Sequence, residues 1–286
     1  MSTPVQLDSF DIQSMTALEQ AIRECAEGLT DLGEAAQKIS ATMDEMIRMP
    51  GTDAPGLALS RLYITRRFGQ LDKQQADFAL NLAGCNLEAK TACLVLAGSS
   101  GRKQEWCEPR QSRGHLAIPL LSVETVESLP MVHRLFEQLG VDVEALLMRQ
   151  LIRAVKLRKE GLGVFHVEEA SRSPWVPGQE FVCSQGVKSC IANGGVLPDG
   201  EVFTLLLFSK APISEKAAIA FRPLALSIEI ALLPYLGFHK ESEAESTILA
   251  FRRLLAMKDS FVARNLMESH LPSARIGVSF AKLVRA

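Results

Sequence analysis

Six cysteines (25, 85, 93, 107, 183 and 190) and five histidines (115, 133, 166, 239 and 270) are the side chains with the most chemistry to offer. No cysteine pair has the C-x2-C spacing of a metal knuckle, and no two histidines share a helical i, i+4 face, so spacing alone assembles no metal site. A chain of 286 residues builds its own core without disulfide staples. The cysteines therefore read as reduced thiols of a cytoplasmic protein, each by default a small buried hydrophobe. Both tryptophans, Trp106 and Trp175, fall in linking stretches, the second flanked by Pro174 and Pro177. Gly98–Arg102 (GSSGR) has the amides to cradle an anion but reads better as a loop tip. No G-x4-G-K-[ST] phosphate loop occurs.

The bulk properties bound the classes of function. With 31 basic and 33 acidic residues the formal net charge is −2, which argues against a global electrostatic grip on nucleic acid or anionic lipid. Hydrophobic residues at 47% and charged residues at 22% are those of a globular chain. The first residues, MSTPVQLDSFDIQ, lack the basic and apolar regions of a secretory signal. The longest apolar run, 223–238, carries Glu229 and reads as too short to span a bilayer.

Apolar residues at Met15, Leu18, Ile22, Cys25, Leu29, Leu32, Ala36, Ile39, Met43 and Met46 step by three and four. This seam predicts one helix over 14–48, capped by Ser14, that pairs with its copy in a coiled-coil homodimer. Gly28 and Gly33 weaken it, by up to ~1 kcal/mol each. From Leu57 the period shortens to that of a strand, 57–65. A helix follows over 72–83, with Asp72 as N-cap and Gly84 past its end, and then strands over 91–97 and 115–120. Residues 122–139 read as helix broken near Pro130. Residues 142–160 form a further helix with Arg149, Arg153 and Lys156 on one solvated face, a possible docking surface. Strands at 163–167, 186–193 and 201–209 follow, the last two joined as a hairpin through Pro198-Asp199-Gly200. A helix from Ser214 is kinked at Pro223, and a last helix runs over 243–268. The pattern is an α+β fold, an antiparallel sheet covered by helices on one side. The expected divisions are 1–50 (dimerisation helix), 51–240 (sensor domain) and 241–286 (C-terminal helix and tail).

The blocks SPWVPGQEFV (173–182) and GGVLPDGEVF (194–203), with LSRLYITRRFGQLDKQQADFA (59–79) and RQSRGHLAIPL (110–120), resemble a GAF-like sensory domain of the type found ahead of bacterial histidine kinase modules. The resemblance spans about 57–236 and includes no kinase. It implies a non-catalytic signalling protein, dimeric, that senses a small molecule and acts through a partner protein, with no nucleic acid and no membrane span.

The resemblance also implies a pocket between the sheet and its covering loops, lined by Trp106, Arg113, His115, His166, Trp175, Phe181, Cys183 and Cys190. The cofactor is left open. Two alternatives come with the family. In a haem- or iron-bearing redox or gas sensor, His115, His166, Cys183 and Cys190 are the conceivable ligands. In a thiol-dependent small-molecule reductase, Cys107, Cys183 and Cys190 would do the chemistry.

Overall fold

Where the apolar period shortens to two the chain forms strands: β1 (Leu57–Arg67), β2 (Ala92–Gly101), β3 (Ala117–Leu120), β4 (Phe165–Val167), β5 (Ser189–Val196) and β6 (Val202–Ser209). They make one six-stranded sheet in the order β3-β2-β1-β6-β5-β4, and every pairing is antiparallel. The computed structural model describes residues 4–148 and 163–236. All belong to the first of two compact units, 1–240 and 241–286. The basic helix face at Arg149, Arg153 and Lys156 and the helix over 243–268 lie outside the described residues.

β5 and β6 form the expected hairpin, in register from Ser189↔Ser209 to Val196↔Val202. Its turn needs Gly200, whose φ is +84°. β2 is longer than its apolar run. The GSSG segment is strand, because Ser99 and Ser100 pair with Arg61 and Ser60 of β1, and their hydroxyls donate to the Trp106 carbonyl (2.6 Å) and the Asp44 carboxylate (3.0 Å). The β1–β2 register shifts at Leu62/Tyr63, where Ala97 is the extra residue of a bulge.

The leading rod is where the structure departs most from expectation. It is two helices, α1 (Ile12–Cys25) and α2 (Leu32–Met46). Asp11, not Ser14, caps α1 by accepting from the Ser14 N–H at 2.8 Å. Gly28, at φ +72°, ends the first run, and Asp31 opens the second by accepting from the Glu34 N–H at 2.9 Å. Glu34 reaches back to accept from the Thr30 N–H (3.0 Å) and hydroxyl (2.8 Å). The seam is consumed inside the chain. Met15, Leu18, Ile22, Ala36, Ile39, Met43 and Met46 are buried, and only the three at the break are half-buried. A free coiled-coil stripe is therefore absent from this segment, and α1 and α2 belong to the body of the sheet domain.

α2 lies on β1 and β2. It comes so close that a Cβ on Gly98 would collide with the Ala36 carbonyl. α3 (Lys73–Ala83) carries its expected caps, Asp72 and the left-handed Gly84 (φ +65°). The helix expected from Ser214 breaks after Phe221 into α8 (Glu215–Ala220) and α9 (Leu224–Leu232), because Pro223 lacks the N–H that would continue the ladder. By length and composition Glu215–Tyr235 could cross a membrane. Here it is mostly buried, with α9 against β5, α1 and α2.

Helices cover both faces of the sheet, not one. The second face is roofed by α4 (Val123–Glu127), α5 (Pro130–Leu139), α6 (Val143–Leu147) and α7 (Gln179–Gln185). One apolar cluster joins Leu59, Cys190, Ala192, Leu206 and Phe208 to Leu135 of α5 and Val182 of α7. A second joins Tyr63, Leu94, Leu96 and Val202 to Val126, Phe136 and Leu146. α5 serves both, Met131 and Leu135 in one and Val132 and Phe136 in the other, as adjacent stripes of one helix do.

Candidate functional site

Strand alternation puts Leu59, Arg61 and Tyr63 of central strand β1 on the roofed face. Leu59 belongs to the first apolar cluster and Tyr63 to the second, so Arg61 projects between them. Its neighbours across the strands are Ser99 and Leu206. One guanidinium nitrogen, Nη1, donates to the Tyr63 hydroxyl at 3.2 Å. Nε is buried and has no partner. Among the ion pairs of the described residues none involves Arg61. A partly buried cation with an orphan donor is costly, and a native fold retains one where something supplies the missing acceptor.

Two further buried polar atoms on the covering segments have no partner, Ser112 Oγ before β3 and Gln138 Oε1 on α5. Gln138 stands three residues beyond Leu135 and continues its stripe. His115, leading into β3, reaches the surface. Desolvation of its ring, and then the Arg61 charge, hold its pKa below the ordinary histidine value.

The residues chosen from the sequence divide. Trp106, Phe181 and Cys190 come together in the first cluster. Phe181 stands edge-on between Trp106 (5.5 Å between ring centroids) and Phe208 (5.1 Å), and Lys103 Nζ lies 4.9 Å from the Trp106 ring centroid. His166 is on the other face of the sheet. It pairs with Ile191 while its neighbour Val167 pairs with Cys190, and its Nε2–H donates to the Ile213 carbonyl at 2.7 Å. That bond fixes it as a structural histidine. Trp175 is 39% exposed beneath the Arg134 guanidinium, while Val176 takes the buried place. Arg113 and Cys183 are exposed.

The sequence reading missed Arg61 and Tyr63. The usable signal was a lone arginine in the Leu59-Arg61-Tyr63 phase of a strand whose other phase, Leu62 and Ile64, is apolar too. With both faces apolar the arginine had to be partly buried.

The candidate metal ligands do not converge. Cys190 and His166 face opposite ways, Cys183 is on the surface, and no group of three or more metal-binding side chains occurs among the described residues. These four side chains therefore do not surround one ion. Cys190 is not poised as a reactive thiolate, because burial pushes it up to about 12.

A concavity of about 910 Å³ lies elsewhere, between α2, the start of α3 and strands β1 and β2. Much of its polar lining is already committed, with exposed Lys38 the exception. Gln37 bridges to Ser99 and Cys107, Gln75 accepts from the Asp72 N–H, Arg66 pairs with Asp199 (3.6 Å) and Arg110 with Asp72 (3.0 Å). None of the buried polar atoms without a partner belongs to a residue of this lining.

No family model matches the chain, and no curated protein matches it. Solved structures do. A free methionine-R-sulfoxide reductase from Neisseria meningitidis, in complex with its substrate, is 16% identical, with 82% of this chain and 98% of that one covered and a TM-score of 0.41. A GAF sensor protein from Burkholderia vietnamiensis is 14% identical, with 77% and 92% covered and a TM-score of 0.38. The GAF domain of a phosphoenolpyruvate-protein phosphotransferase from Coxiella burnetii is 10% identical, with 76% and 92% covered and a TM-score of 0.38. The likeness to these structures is one of fold alone, at low identity.

Proposed function

We propose that this chain is a non-catalytic, GAF-like sensory protein of bacterial signal transduction, working in the cytoplasm. It takes up a small molecule between the sheet and its roof and relays the state to a partner protein. The observation that carries the proposal is Arg61, a partly buried cation with an orphan Nε, set between two apolar clusters to which α5 contributes. Apolar walls with a few convergent polar groups are the ordinary make-up of a small-molecule site. The homodimer expected from the heptad seam loses that support, since the seam is internal, and any assembly of copies would use another surface. The haem and thiol-reductase alternatives have no observation of their own.

Native mass spectrometry of freshly purified protein, followed by hydrogen exchange with and without the retained or added molecule, tests the proposal. Binding is expected to slow exchange in α5 and in the segment 104–116. Protection confined to the cleft between α2 and α3 would place the site elsewhere and overturn the reading.

A further inference from the structure

We infer that the molecule taken up between the sheet and its roof is a small organic carboxylate with an apolar body, its anionic group held by the guanidinium of Arg61. The inference rests on the sensory reading above and adds the ligand's chemical class. A guanidinium presents its donors as a planar fork that matches a carboxylate. Here one nitrogen is taken by Tyr63 and Nε is left unsatisfied, and among the described residues no ion pair involves Arg61. A single positive charge balances a monoanion. The Arg102 guanidinium, just past the end of β2, is already paired with Asp44. Leu59 and Leu206 on one side and Tyr63 and Leu96 on the other offer the apolar body its contacts.

The experiment compares thermal unfolding of wild type, Arg61→Met and Arg61→Lys in full-length protein. Hexanoate and benzoate are the probes, against hexanamide and benzamide, at one ionic strength set with sodium chloride. The methionine keeps the packing of the arginine stem and removes the charge. The ligand-free Arg61→Met protein is expected to melt at or above the wild-type temperature, as when an uncompensated charge is removed. At least one carboxylate is expected to raise the wild-type midpoint by about 2 °C or more, the matching amide to leave it unchanged, Arg61→Met to abolish the response and Arg61→Lys to keep part of it. Equal responses to acid and amide, a response that survives in Arg61→Met, or no response to either acid would overturn the inference. Amide binding that protects α5 from exchange would leave the sensory reading standing while removing the anionic class. Protection only at the α2–α3 cleft would remove the reading itself.

Discussion

At the scale of single residues, burial sorts the ionisable groups by what they can do. The thiols of Cys93 and Cys190 are pushed up to about 11 and about 12, and Cys25 is raised as well, while Cys85, Cys107 and Cys183 are exposed. At pH 8 a thiol–disulfide reagent is expected to label the three exposed cysteines of the native protein. Cys93 and Cys190 should stay unlabelled until denaturant is added, with mass spectrometry of peptides as the readout. Rapid native labelling of Cys190 would show that the roof opens far more readily than its packing allows. The buried carboxyl groups follow the same logic and shift in the same direction. Glu229, on α9 and facing Gly195 of β5, is raised from 4.5 to about 7 by desolvation. Between those values the native state holds the proton and the unfolded chain does not, so stability falls as pH rises through this window and the loss is complete above it. At 1.36 kcal/mol per unit the loss is on the order of 3 kcal/mol. Glu229→Gln is expected to flatten the stability profile from pH 4.5 to 7 and to raise the urea midpoint at pH 8. An unchanged slope would show that another group sets it.

Elements are positioned by caps and close approaches that a single substitution tests. The Asp31 carboxylate holds the first turn of α2, and Asp31→Ala is expected to lower stability by about 1 kcal/mol in urea titrations. Gly98→Ala should cost more, above about 2 kcal/mol, because the added methyl meets the Ala36 backbone rather than a side chain that can turn away. These two positions also mark how far the sequence could be read. Strands and α3 were legible, since alternation, the Asp72 cap and Gly84 all agree on them. The break in the leading rod was written in Gly28 and in Asp31 followed three residues later by Glu34, but a seam of threes and fours masks a break that keeps its phase. The same stripe serves a partner chain or the chain's own sheet, and only the docking of α2 on β2 decides between them. GSSG was misread because small polar residues mark loops unless a helix packs against them. α7 was missed because QEFVCSQ is seven residues, too short for a period to declare itself. At the site, types and spacing drew attention to tryptophans, histidines and cysteines. The group with an unmet need was an arginine inside an apolar strand, which becomes conspicuous only once its neighbours are known.

For the whole molecule the question is whether the first 49 residues are an appendage or part of the body. If they formed a separate rod, removing them would leave the sheet domain with its own unfolding transition and change only its assembly. The packing argues otherwise. Leu18, Ile22, Ala36, Ile39 and Met43 are almost wholly buried. α1 rests on α9 and α2 on β1 and β2, while Val5 bridges to Ile47 beside the turn into β1. Five such side chains, at about 1.5–3 kcal/mol each for the larger ones, are comparable to the entire net stability of a domain, ~5–15 kcal/mol. Their removal would also bare the apolar face of β1, the central strand. A chain beginning at Pro50 is therefore expected to lose cooperative thermal unfolding and to aggregate, whereas the full chain unfolds in one transition through residue 236, followed by circular dichroism and light scattering. A truncated protein that stayed soluble with an unchanged midpoint would return the leading segment to the role of a separable rod. If instead the two helices and the sheet melt together, a ligand that tightens the roof also tightens α1 and α2 through β1. The first helices would then be the part of the surface from which a partner could read the occupied state.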